Sequence, residues 1–151
     1  MRTNRILWLA CLVVAVTLAP GCQKKAEAPP PTPAPTGPGP FRVASFELGK
    51  ALTADKKVAA PMTSFATRDT IYVAIASEGK ADSTTLSARW TFQASPTESL
   101  LVAQDDQRLA PTGPAQTEFH IMKPTAWPKG PYTVEIAVDG KSAGKKSFDI
   151  K

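Results

Sequence analysis

The chain has 151 residues, of which 42% are hydrophobic and 21% charged, and its formal net charge is +5. This length favours a single domain with one core of ordinary size, and no apolar run reaches the roughly 20 residues of a membrane-spanning helix, which excludes a polytopic membrane protein. The two cysteines are too few for a disulfide-rich miniature or a four-cysteine zinc site.

The N-terminal segment has the organisation of a secretory signal. Arg2 and Arg5 give it a positive start, and residues 6–19 form an apolar stretch that only Thr17 interrupts. The small residue Gly21 then precedes Cys22. A positive start, a short apolar segment and small residues before a cleavage site predict a signal peptide at residues 1–21.

Residues 18–22, with the sequence LAPGC, resemble the lipobox of bacterial lipoproteins. The resemblance implies that the Cys22 thiol is diacylated and that the bond before it is then cleaved, so that lipid chains hold the protein on a membrane. Gln23 is not the aspartate that commonly retains such proteins in the inner membrane, which points to the periplasmic face of an outer membrane. A plain signal peptide that leaves Cys22 as a free thiol is the alternative.

Cys22 and the proline-rich linker that follows it are predicted to occupy residues 22–40. It contains seven of the 15 prolines and no large apolar side chain. Such a segment favours extended polyproline II, and at about 3.1 Å per residue it could hold the folded part up to roughly 50 Å from the membrane. A ligand for a proline-binding domain is the alternative interpretation.

Residues 41–151 are predicted to fold into an all-β domain. Apolar and polar residues alternate clearly over residues 71–76, 86–93 and 132–139, as expected for half-buried strands. Weaker patterns predict strands at 41–48, at 100–104, around Phe119 and Ile121, after Met62, and around Phe148 and Ile150. About seven short strands at this spacing favour an antiparallel β-sandwich over a barrel.

The connections between these strands also carry signals. Asp139-Gly140 between two strands predicts a hairpin with a type I′ turn, which needs positive φ at both central residues. Residues 55–57 and 111–114 are predicted to be exposed loops, and Asp105-Asp106 is predicted to form a solvated turn in a polar loop.

Two aromatic residues resemble the immunoglobulin-like pattern. Trp90 falls in an early central strand, and Tyr132 opens a late strand after a proline-rich corner. Val73 and Val134 stand where that pattern has its inter-sheet cysteines. The resemblance implies an immunoglobulin-like sandwich of two antiparallel sheets and says little about function.

The excess of basic over acidic residues does not indicate nucleic-acid binding. Residues 41–151 contain 14 Lys or Arg and 12 Asp or Glu, so the domain itself carries only +2. The remaining excess lies in the signal peptide and in Lys24 and Lys25, which would face anionic lipid headgroups or simply keep the linker soluble. No basic stripe interleaves with aromatic residues.

The domain offers no recognisable catalytic constellation. It contains no cysteine, and its one histidine, His120, has no Gly-x-Ser-x-Gly elbow near it in the sequence. Asp105-Asp106 is the only pair of adjacent carboxylates, and neighbouring residues of a loop do not form an acid–base pair across a substrate. We therefore expect a protein that is not an enzyme and has no cofactor.

Metal binding is one alternative. Glu118, His120 and Met122 share one strand face by the two-residue period, and an imidazole with a thioether suits Cu(I) in a periplasmic carrier. A solvent-facing trio that binds nothing is the competing interpretation.

Trp127 lies in a corner that contains three prolines and one glycine. Its ring could be exposed for binding a sugar or a partner protein. Alternatively, it could fill the open end of the sandwich above Tyr132, which the sequence favours.

The leading hypothesis from the sequence is a lipid-anchored binding or assembly module of a bacterial cell envelope. Its partner would be another envelope protein or a glycan. A copper carrier that uses His120 and Met122 is the first alternative, and an inhibitor of an envelope or foreign hydrolase is the second.

Overall fold

The structure is a computed structural model that describes residues 39–151. The predicted signal peptide, the predicted lipidation site Cys22 and the linker as far as residue 38 lie outside the described residues. Eight strands form the domain: β1 (Arg42–Gly49), β2 (Ser64–Phe65), β3 (Ile71–Glu78), β4 (Thr84–Ser95), β5 (Glu98–Leu109), β6 (Ala115–Ile121), β7 (Gly130–Val138) and β8 (Lys141–Ile150). No helix capable of crossing a bilayer occurs between residues 39 and 151.

The strands form two sheets of unequal width. One sheet has three strands in the order β1-β3-β6, and the other has five in the order β2-β8-β7-β4-β5. All pairings are antiparallel except that of the two-residue β2 with β8. The domain is therefore the antiparallel β-sandwich that the alternation predicted.

The core lies between the two sheets and follows the two-residue period. Ile71, Val73 and Ile75 of β3 are fully buried, and Val134 and Ile136 of β7 are fully buried in the other sheet. Each such side chain contributes about 1.5–3 kcal/mol by leaving water. The positions that replace the inter-sheet cysteines of the immunoglobulin-like pattern, Val73 and Val134, are thus both core residues.

Aromatic rings form the centre of this core. Trp90 is fully buried and meets Phe148 edge-on, with 6.0 Å between the ring centroids. Phe148 stacks on Tyr132 at 5.4 Å and meets Phe65 of β2 edge-on at 5.5 Å. These contacts join β2, β4, β7 and β8 on the inner face of the wide sheet.

The structure corrects the sequence analysis at β5. Residues 100–104 were predicted to form a short strand and Asp105-Asp106 a polar turn, but both segments belong to one strand of twelve residues. Side chains along β5 are exposed or half-buried throughout, because this strand pairs with β4 on one side only. The weak alternation of the sequence reflects that edge position.

The hairpin between β7 and β8 confirms the predicted turn. Asp139 and Gly140 have φ of 49° and 77°, so both central residues have the positive φ of a type I′ turn. The Asp139 carboxylate also accepts hydrogen bonds from the Thr85 N–H at 2.7 Å and the Thr84 hydroxyl at 3.0 Å. The turn is therefore fixed to the start of β4.

The chain enters the domain by pairing with the connection between β3 and β4. The Lys80 N–H donates to the Gly39 carbonyl oxygen at 3.0 Å, and the Phe41 N–H donates to the Lys80 carbonyl oxygen at 3.2 Å. Pro40 thereby forms a parallel bridge with Lys80. Among the described residues, backbone pairing thus already includes Gly39 and Pro40, ahead of the predicted domain boundary at residue 41.

Two glycines with similar positive φ provide a test of this entry contact. Gly79 has φ of 86°, and a Cβ there would lie 2.2 Å from the Pro40 carbonyl oxygen, whereas a Cβ at Gly140, with φ of 77°, would meet nothing within 4 Å. We expect Gly140→Ala to lower the free energy of unfolding by about 1–2 kcal/mol, the cost of positive φ alone. Gly79→Ala should cost at least about 1 kcal/mol more, because the entering chain must also move. Chemical denaturation of the full chain measures both losses, and equal losses would contradict the close contact.

Candidate functional site

One end of the sandwich is held by a tyrosine corner. The Tyr132 hydroxyl donates to the Pro128 carbonyl oxygen at 2.9 Å, four residues upstream, as in the immunoglobulin-like pattern. Burial of the phenol raises the pKa of Tyr132 above its usual value near 10, so the hydroxyl stays protonated and remains a donor. This bond fixes the connection between β6 and β7.

Trp127 fills the end of the sandwich beside this corner. Its side chain is only 6% exposed, and its ring meets Tyr132 edge-on at 6.4 Å. The indole N–H donates to the Asp69 carbonyl oxygen at 3.0 Å, and the Trp127 backbone N–H donates to Thr67 at 2.7 Å. The packing alternative for Trp127 is therefore the observed one, and the ring is not exposed as the binding alternative required.

A groove of about 570 Å³ opens at this same end, between β5 and β6. Its lining includes Leu100, Leu101, Asp105, His120, Met122 and Lys123. Phe92, Ile121 and Tyr132 also line it and connect it to the core. A volume of this size lies within the range of ligand pockets.

The exposed apolar side chains of the domain gather at this groove. Leu100, Leu101 and Met122 are 48%, 56% and 69% exposed, and they are the exposed large apolar side chains of residues 39–151. Exposed apolar residues that are scattered singly need no explanation, whereas a contiguous group marks an interaction surface. We define these three side chains as the apolar rim of the groove.

One side chain connects β5 to the edge of β6 next to the groove. The Gln107 amide of β5 donates to the Glu118 carbonyl oxygen of β6 at 2.8 Å, which bridges the two sheets. Beyond this bridge, towards the apolar rim, the structure shows no strand between β5 and β6. The edge of β6 there faces the groove.

The groove carries one carboxylate and two basic side chains. Asp105 lines it from β5 and has no ion-pair partner within residues 39–151. The Lys123 ammonium lies 5.9 Å from the centre of the Trp127 ring, within the range of a cation–π contact. His120 has its Nδ1 at 3.3 Å from a Glu118 carboxylate oxygen. Asp105 is therefore the carboxylate of the groove, and neither it nor Lys123 forms an ion pair within residues 39–151.

The structure brings together two of the three residues predicted to bind metal. Glu118 and His120 are neighbours on the outer face of β6, and the His120 ring lies against Tyr72, with 5.2 Å between centroids. Met122 follows the last residue of β6 and is exposed at the groove. Within residues 39–151 no three His, Cys, Asp or Glu side chains gather in a metal-binding arrangement. The copper-carrier hypothesis stays a prediction.

The groove was not predicted from the sequence, although the sequence contains one signal of this groove. Residues 100–103 are four consecutive apolar residues, Leu-Leu-Val-Ala, in a segment that is otherwise polar. Successive side chains of a strand point to opposite faces, so a run of this kind must leave an apolar side chain outside the core on a strand with one buried face. Only the structure shows that Met122 joins them.

No model of a known protein family matches the chain, and no curated protein sequence matches it. An immunoglobulin-like protein from Pseudomonas aeruginosa is similar in structure, with a TM-score of 0.52 and 13% sequence identity. The match covers 74% of this chain and 96% of that protein. The domain has an immunoglobulin-like fold. This likeness concerns the fold alone, because the identity is low.

Segments of two larger proteins are also similar to the immunoglobulin-like domain. An alkylpurine DNA glycosylase from Pseudomonas fluorescens matches with a TM-score of 0.48 and 13% identity over 75% of this chain and 31% of its own. A β-glucosidase from Listeria innocua matches with a TM-score of 0.45 and 10% identity over 70% of this chain and 16% of its own.

Proposed function

We propose that the protein is a lipid-anchored binding module of a bacterial cell envelope that holds a partner in the β5–β6 groove and catalyses no reaction. The observation that carries this proposal is the position of the apolar rim relative to the point where the chain enters the domain. The predicted anchor at Cys22 and the predicted linker would place the entry point towards the membrane. The groove would then face away from it.

The two positions lie at opposite ends of β3. The entering chain pairs with Lys80, just beyond Glu78 at the end of this strand. The groove lies beside Ile121, which pairs with Ile71 at the start of the strand. At about 3.3 Å per residue, the strand separates the two points by roughly 23 Å. A partner in the groove would therefore lie at the end of β3 opposite the point where the chain enters the domain.

The polar groups of the described residues support a binding role. His120, the one histidine of the chain, directs Nδ1 at Glu118 and rests against Tyr72 on an exposed sheet face. Two buried aromatic side chains beside the groove donate their hydrogen bonds within the domain. The Trp127 indole donates to the Asp69 carbonyl oxygen, and the Tyr132 hydroxyl donates to the Pro128 carbonyl oxygen. A partner would thus be held mainly by apolar contact with the rim.

The anchor is tested by a pair of cysteine substitutions. We expect Cys22→Ser to abolish incorporation of radiolabelled palmitate and to release the protein from the membrane fraction, because Cys22 would carry the acyl chains. Cys11→Ser is the matched control, since this cysteine lies inside the predicted signal peptide, and it should leave both properties unchanged. Labelling that survives in Cys22→Ser would contradict the lipid anchor.

The groove is tested by site-specific photo-crosslinking of the full chain in intact cells. A photoreactive amino acid at Leu100, which pairs with the groove residue Phe92, should give one discrete adduct, and Met122→Gln in the same chain should reduce its yield by lowering the apolar contact. Gln104 is the control position, because it lies on the same strand but opposite Arg89 and outside the groove. Equal adducts from both positions, or none from Leu100, would contradict the proposal. A hydrolase captured at Leu100 would identify the module as an inhibitor.

A further inference from the structure

The edge of β6 that faces the groove has unpaired backbone groups. β6 pairs with β3 on one side and is the last strand of its sheet. The Glu118 carbonyl oxygen points away from β3, since it accepts the bond from the Gln107 amide of β5. Backbone groups alternate in direction along an antiparallel strand, so the N–H and C=O of His120 point to the same open side. Beyond the hydrogen bond from Gln107, the N–H and C=O of His120 face the groove.

The N–H and C=O of His120 are the outward-pointing pair of β6 beyond the bridge, and such a pair can anchor an added strand. An extended peptide can pair with an exposed sheet edge through its own backbone, while its alternate side chains enter neighbouring pockets. The three-stranded sheet would become four-stranded at the position between β6 and the overhanging β5. The apolar rim formed by Leu100, Leu101 and Met122 would contact the apolar side chains of the added strand.

The charged side chains of the groove indicate which side chains a bound partner would carry. Asp105 is the carboxylate of the groove, and no cationic side chain of residues 39–151 pairs with it. Lys123 lies over the Trp127 ring, and His120 lies beside Glu118. An occupant with a basic side chain at the level of Asp105 would supply the missing opposite charge.

A peptide fits these observations better than a glycan does. Sugar rings bind by stacking on exposed aromatic faces, but Trp127 is 6% exposed and Tyr132 is 1% exposed. Their hydrogen-bonding atoms also have partners within the domain. The exposed apolar side chains of the groove are aliphatic and thioether instead of aromatic.

We propose that the groove binds an extended, apolar segment of a partner protein that adds a strand to the open edge of β6 and places a lysine or arginine against Asp105. This inference rests on the proposed function and specifies the chemistry of the partner. Affinity would come from backbone pairing and apolar contact, and selectivity for a basic residue would come from Asp105.

The test uses the full chain in phospholipid nanodiscs and a fluorescein-labelled heptapeptide probe of alternating valine and threonine with one central lysine, capped at both ends. Fluorescence anisotropy should show saturable binding. N-methylation of alternate amides on the edge that would face β6 should weaken binding at least about tenfold, because those amides would lose their hydrogen bonds. Glutamate in place of lysine should weaken it by about threefold to fivefold.

Two neighbouring carboxylates provide the matched protein variants. Asp105→Asn should remove the preference for lysine over glutamate, whereas Asp106→Asn should keep it, because Asp106 points to the opposite face of β5 and does not line the groove. Equal binding of the N-methylated probe would overturn strand addition. An unchanged lysine preference in Asp105→Asn would overturn the role of the carboxylate.

The outcomes also separate this inference from the proposed function. If no heptapeptide binds while crosslinking at Leu100 still gives its adduct in cells, strand addition is wrong and the groove remains a binding surface. If soluble N-acetylglucosamine oligomers bind and Leu100→Gln abolishes that binding, the occupant is a glycan and the inference is overturned. If peptides, oligomers and crosslinking all fail, both proposals are wrong.

Discussion

The unequal width of the two sheets is the constraint on which the surface of this domain depends. Three strands cover the inner face of a sheet that has five, so the core is complete over β4, β7 and β8 but not at β5. Along β4 the inward side chains from Thr84 to Trp90 are buried, whereas none of the side chains of β5 is. The overhang of β5 and the open edge of β6 together produce the groove.

Long exposed edge strands are a hazard, because they pair with other chains without selection. This domain limits the hazard at β5 and β6 with polar groups. Asp105 and Asp106 place charge on both faces of β5, and the Gln107 amide covers the Glu118 carbonyl oxygen. What stays open is a short length of edge beside the apolar rim, which is the arrangement expected of an edge kept for one selected partner.

The aromatic core gives this groove a fixed end. Trp127 and Tyr132 are tied to backbone carbonyl oxygens of Asp69 and Pro128, and both rings lie in contact with the core. Surfaces that hold their shape before binding lose less conformational entropy when a partner arrives. The same bonds that complete the immunoglobulin-like fold therefore also organise the candidate site.

Much of the fold could be predicted because burial imposes a period on the sequence. In the strands that contain Trp90 and Tyr132, apolar and polar residues alternate regularly because one face of each strand packs in the core. The sequence Asp139-Gly140 favours a tight turn independently of its surroundings. Position on a sheet edge leaves no such pattern. β5 was predicted too short for this reason, and its carboxylates were assigned to a turn.

The candidate site was less predictable than the fold because it depends on contacts between distant strands. Glu118 and His120 were expected to be neighbours, since they lie two residues apart on one strand. Leu100 lies on β5 of the wide sheet and Met122 directly follows β6 of the other sheet, and no local pattern brings them together. The run of apolar residues at 100–103 signals exposure but does not identify what it faces.

The open edge of β6 is tested most directly by hydrogen exchange at the backbone amides of this strand, measured by NMR on the full chain without a partner. The His120 amide should exchange at least about tenfold faster than those of Phe119 and Ile121, because it faces the open groove while they face β3. Protection of His120 equal to that of its two neighbours would show that the edge of β6 is already covered and would contradict an open edge.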